Sequence, residues 1–179
     1  MTRLQFAKYV EPAFAVLFLA ALFFLTPEAY WLDNTIYGLR LFWLSFSVGC
    51  FTGFLPAAVF AFFHHDLLSG LCGPLARTLK FASFSALCFG LLLPSIASYV
   101  NRKFVMGPAH QIEVTVTEKG LGGKSRSTPY IFFSPSPDVT ERIEVDMRFY
   151  RGISVGEEMS LTLERGYFGY DVVRSWGRA

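Results

Sequence analysis

The sequence predicts an α+β membrane protein: three transmembrane helices followed by a small antiparallel β-sheet or partly closed β-barrel domain. Three observations carry that prediction. Leu41 to Phe63 is an uncharged apolar run between Arg40 and His64, and it satisfies the ~20 helical residues that a hydrocarbon core requires. Two further apolar segments lie at about 9–27 and 81–100. From His110 onward the apolar period changes from helical to two, the mark of strands with one wet face.

Composition agrees with this division. Of 179 residues 53% are apolar and 20 are Phe, which is heavy for a soluble domain. From Phe104 onward there are nine basic and ten acidic residues, whereas the first 103 residues hold only Glu11, Glu28, Asp33 and Asp66 as acids. The expected domains are therefore a transmembrane region, 1–103, and a β-domain, 104–179. The net charge of +2 averages two unlike halves and gives no reason to expect a nucleic-acid partner.

The first segment opens with Arg3 and Lys8, and its continuous apolar run is Ala13 to Leu25. A charged start and a short apolar run also describe a secretory signal peptide. TPEAYW follows in place of a small-residue cleavage site, so an uncleaved helix is expected. Glu11, beside Pro12, reads as an interfacial residue at a helix start. Thr26 to Gly38 is then a polar connection, with Tyr30, Trp31, Tyr37 and Trp43 as an aromatic belt at one membrane face.

The second segment carries small residues at every fourth position: Ser45, Gly49, Gly53, Ala57 and Ala61. Small-xxx-small spacing lets helix backbones approach closely in lipid, where helices have no hydrophobic drive to associate. The third segment has a matching stripe, Ala82, Ala86 and Gly90, so the two faces are expected to pack on each other. Pro56 and Pro94 each remove a backbone donor and are expected to kink their helices. The hydroxyls Ser45, Ser47, Thr52, Ser83 and Ser85 are the polar groups a transport path could use, but such side chains commonly bond back to their own helix.

His64-His65-Asp66 closes the second segment and invites a metal reading. Adjacent residues on a helix end point in different directions, so the triplet is read as polar residues at the membrane exit, and no metal or cofactor is expected. Cys50, Cys72 and Cys88 form no CxxC pair, which argues against a disulfide framework. By the positive-inside rule Arg3 and Lys8, with Arg77 and Lys80, place the amino terminus in the cytoplasm and the β-domain outside. Arg102 and Lys103 count the other way, and the two pairs outweigh them.

In the back half Ile112, Val114 and Val116 alternate with polar residues, as do Ile143, Val145, Met147 and Phe149, and Met159, Leu161 and Leu163. Tyr130 to Phe133 and Phe168 to Val173 are two further strands. Gly120-Leu121-Gly122-Gly123 and Arg165-Gly166 signal turns, and Pro135-Ser136-Pro137-Asp138 a loop. A core of fewer than 80 residues is marginal, so the domain is expected to lean on the membrane or a partner. Glu157-Glu158, and Glu144 with Asp146, read as turn and strand-face charges, and no enzyme is expected. GLGGKSRS lacks the spacing of a phosphate loop and reads as an exposed hairpin tip. Its Lys124 and Arg126, with Tyr130, are the candidate partner-binding residues.

The tail from Tyr150 to Tyr170, YRGISVGEEMSLTLERGYFGY, places Val155-Gly156-Glu157 before a strand and Gly166 to Gly169 after it. It resembles the tail of small bacterial inner-membrane proteins in which a few helices precede an extracytoplasmic β-domain, a build shared by some immunity proteins. The resemblance implies a multi-pass inner-membrane protein with a periplasmic β-domain that binds another protein, an immunity-type protein against a toxin in the sharper form. An accessory subunit of a transporter or envelope assembly complex is the alternative, and a small channel or transporter the second. The expected partners are membrane lipid and another protein.

Overall fold

The computed structural model describes residues 3–63, 74–122, 128–136 and 139–179. Three long helices come first: α1 (Arg3–Asp33), α2 (Gly38–Phe63) and α3 (Pro74–Lys103). Each is long and apolar enough to cross a membrane, over Pro12–Asp33, Gly38–Phe63 and Thr78–Lys103. Five strands follow, β1 (His110–Gly122), β2 (Thr128–Ser136), β3 (Val139–Glu144), β4 (Glu158–Arg165) and β5 (Asp171–Arg178), with a short helix α4 (Met147–Gly152) between β3 and β4. All pairings are antiparallel, in an open sheet of order β3-β2-β1-β4-β5. The α+β class expected from the periodicity is the class observed.

Several local expectations change. Thr26 to Asp33 is helix rather than connection, because Pro27 removes one donor without stopping a helix whose other backbone groups stay paired. The chain turns only at 34–37, where Tyr37 adopts φ 59. Met147 and Phe149 lie on α4 and not on a strand, since Asp146 caps that helix by accepting the Phe149 N–H at 2.9 Å. Phe168 is not in the last strand either. Gly169, at φ 80, closes a turn in which Gly166 N–H donates to Tyr170 O and Gly169 N–H to Gly166 O, and β5 begins only at Asp171. Gly120 and Gly122 belong to the ladder, opposite Tyr130 and Thr128.

The chain divides into two compact units, Met1–Glu28 with Phe42–Ala97, and Ala29–Leu41 with Ser98–Ala179. In the helical unit the two small-residue stripes meet. A Cβ added at Gly53 would lie 2.7 Å from Ser85 O and 3.1 Å from Ala86 Cα, and one at Gly49 would fall on the Phe89 carbonyl. Gly90 faces Cys50, whose sulfur lies 2.7 Å from the place of its missing Cβ. Ala57, Ala61 and Ala82 are buried, and Ser45 and Ala86 partly so. From α1, Phe14 meets Phe81 and Phe84 edge-on at 5.0 and 5.7 Å. Ser45, Ser47 and Thr52 donate to carbonyls three or four residues back on their own helix.

The sheet unit has its own core. Val114, Val116, Ile131, Phe133, Ile143, Leu161 and Val173 supply the strand side chains, and Ile153 joins them from beyond α4. Ile36 is buried in the same cluster with Tyr37 packed against it. A residue of the first interhelical turn is thus a core residue of the β-domain.

Candidate functional site

Residues 33–37 form a strap that bonds to both edges of the open sheet. Edge strands expose unpaired N–H and C=O groups, which invite pairing with other chains. Along β5, Thr35 makes an antiparallel bridge with Val172, Ile36 N–H donates to Asp171 O at 2.8 Å, and Val173 N–H donates to Asn34 O at 2.9 Å. Along β3, Glu144 N–H donates to the buried Asn34 Oδ1 at 3.1 Å, and Tyr37 N–H donates to Glu141 Oε1 at 3.2 Å. The Arg142 guanidinium grips both Asp33 carboxylate oxygens at 2.9 and 3.0 Å. Four consecutive residues, 34–37, therefore tie the first and last strands of the sheet order together.

Two acids of β3 that meet this strap are perturbed. Burial pushes the Glu141 carboxyl above the usual carboxylate range, while the Tyr37 N–H bond and the Arg40 charge pull it back in part. Glu144 is raised by burial and then by the Asp33 charge. Tyr130 lies in this cluster, its ring 4.9 Å from the Arg142 guanidinium carbon. Its hydroxyl is raised, first by burial and then by Glu144 and Asp33.

The end of α3 enters the sheet unit through Asn101, which is 0% exposed. Its Oδ1 accepts the Phe168 N–H at 2.9 Å, its Nδ2 donates to Tyr170 O at 3.0 Å, and its backbone carbonyl accepts the Tyr167 N–H at 3.2 Å. The next carbonyl, of Arg102, accepts from Arg174. The Arg102 guanidinium lies 4.5 Å from the Trp31 ring centre.

A groove of about 500 Å³ is lined by Asp146, Arg148, Phe149, Gly152, Gly177 and Arg178. It runs beside β5, which is an edge strand. Among the described residues no strand pairs along the outer edge of β5 beyond Val173. Asp146 is occupied by its cap, and the Phe149 N–H holds its carboxyl below the usual range. Arg148 and Arg178 are exposed and give the groove a basic character.

Of the sequence-predicted partner residues, Tyr130 is held in the strap cluster, and Lys124 and Arg126 lie outside the described residues, as do His64, His65, Asp66 and Cys72. Glu157 accepts the Ser154 N–H at 2.9 Å in the turn before β4. Among the described residues no three His, Cys, Asp or Glu side chains gather as metal ligands. Sequence reasoning missed Asn34, Ile36 and Asn101. The available signals were a lone β-branched apolar residue in a polar connection and a single amide just inside a helix end. No family model matches the chain, and no curated protein or solved structure matches it.

Proposed function

We propose that this protein is a membrane-anchored protein-binding module, with the β-domain on the outer side of a bacterial inner membrane and the groove beside β5 as its contact surface. One observation carries the reading. Among the described residues β5 is occupied along its outer edge only at 171–173, by the strap, so the rest of that edge offers backbone N–H and C=O groups beside a basic groove. An edge strand of this kind takes an extended segment of a partner by β-augmentation, and Arg148 and Arg178 favour an acidic one. The orientation rests on Arg3, Lys8, Arg77 and Lys80 under the positive-inside rule.

In its narrower form the partner is a toxin and the protein an immunity-type protein. An accessory subunit that docks through the α2 stripe has less support, because Gly49 and Gly53 are already packed on α3. The test compares the wild type with the double variant Arg148→Glu, Arg178→Glu. A partner that copurifies with the wild type from native membranes should be lost from the variant, with thermal unfolding unchanged. An identical set of partners in both sinks the groove reading. Deleting the gene should sensitise cells to a competing neighbour, and unchanged survival sinks the toxin reading.

A further inference from the structure

The turn that Asn101 holds carries large apolar side chains in the open. Tyr167 and Phe168 are 54% and 48% exposed, and their rings meet edge-on at 5.2 Å. Immediately after α3, Phe104, Val105 and Met106 are 57%, 39% and 68% exposed. The two segments are tied together, because Met106 N–H donates to Arg165 O at 2.8 Å and Tyr167 N–H donates to Asn101 O. Exposed apolar side chains distant in sequence are thus carried on two segments bonded to each other, beside the exposed Lys103 and Arg165. Large apolar side chains exposed together on adjoining segments mark a contact site.

The position of this surface on the chain indicates what covers it. The third candidate span ends at Lys103, and the turn bonds to Asn101, two residues inside that end. At 1.5 Å of rise per residue the turn sits within about 5 Å of the end of the span. We infer that Phe104–Met106 and Tyr167–Phe168 together form a lipid-contacting wedge, seated in the headgroup layer next to the exit of α3, with Lys103 and Arg165 facing anionic headgroups. Aromatic rings are placed at that depth by their amphipathic character, and apolar side chains with basic neighbours are the usual composition of interfacial anchors. Phe168 makes its clamp bond through the backbone N–H, so its side chain is free for lipid. The wedge rests on the reading that α3 spans a membrane.

A benzophenone-bearing amino acid at position 168 of the full chain, in nanodiscs of phosphatidylcholine and phosphatidylglycerol, tests it. Irradiation should add the mass of one phospholipid, and the same probe at position 106 should do likewise. Position 51, on an exposed face of α2, reports on the membrane reading itself. Position 155 precedes β4 and is separated from Arg165 by the length of that strand, about 25 Å, so it should remain free of lipid. Lipid adducts at 51 but at neither 168 nor 106 overturn the wedge and leave the spanning helices standing. No lipid adduct at 51, 106 or 168 overturns both. In native membranes a protein adduct at 168 in place of lipid also overturns the wedge.

Discussion

Asn101 fills the space that a side chain at Gly166 would need. A Cβ built on Gly166 would fall on the Asn101 carboxamide, and that carboxamide bonds to both limbs of the turn that Gly166 opens. The absence of a side chain on one residue and the two-sided hydrogen bonding of the other are a single device. It joins the last turn of α3 to the β4–β5 connection.

Removing either half should cost the same structure. Asn101→Ala leaves the Phe168 N–H without its acceptor, while Tyr170 O keeps the Gly166 N–H, and an unsatisfied buried group costs roughly 1–3 kcal/mol. A loss of about 2–3 kcal/mol is expected, with Gly166→Ala of the same sign because the amide must move. Thermal unfolding in detergent measures both. Because the two changes break one contact, the double variant should lose less than the sum of the singles, and strict additivity would refute the shared device.

Ile36 should behave as a β-domain core residue although it lies between two helices. Ile36→Ala is expected to destabilise the sheet unit by about 2–4 kcal/mol. Amide exchange should quicken along β3 and β5, the strands that the strap joins. Residues 104–179 expressed alone lack both Ile36 and Asn34, so they should show no cooperative melting. A stable monomer of that fragment would contradict the strap's role.

Gly53→Leu should separate α2 from α3. The added side chain meets the Ser85 carbonyl, and overpacking of a close contact costs about 1–3 kcal/mol. Lower thermal stability with an unchanged oligomeric state is expected by light scattering in detergent. A change of oligomeric state without loss of stability would mean that the stripe serves a second molecule.

Glu141→Gln should stabilise the protein near neutral pH. The folded pKa of Glu141 lies above its unfolded value, so the folded state binds the proton more tightly than the unfolded chain does. Stability associated with this group is fully present below the unfolded pKa and is lost as pH rises through the folded one. Glutamine keeps an oxygen for the Tyr37 N–H and removes the charge. The variant's melting temperature should exceed the wild type's at neutral pH, and the difference should shrink below the usual carboxylate range. A constant difference across that range would refute the assignment.

By itself the sequence determined the three long helices, the strand-forming back half and the meeting of the two small-residue stripes. Hydrophobic length, period-two alternation and fourfold small spacing are local signals, and each is set by the medium a side chain faces. It also pointed to the turn at Arg165-Gly166. It misread Met147 and Phe149, because two alternating apolar residues at the end of a strand pattern are too few to exclude a single helical turn once Asp146 provides a cap. Only the tertiary structure decided where the edges of the sheet are tied. The bonds of Asn34 to Val173 and Glu144, of Tyr37 to Glu141 and of Asn101 to Phe168 each span more than 60 positions. Pairings at that separation are chosen by which buried backbone groups lack a partner once the sheet has formed, and neither an Asn in a connection nor an Asn in a last helical turn announces which group it will meet.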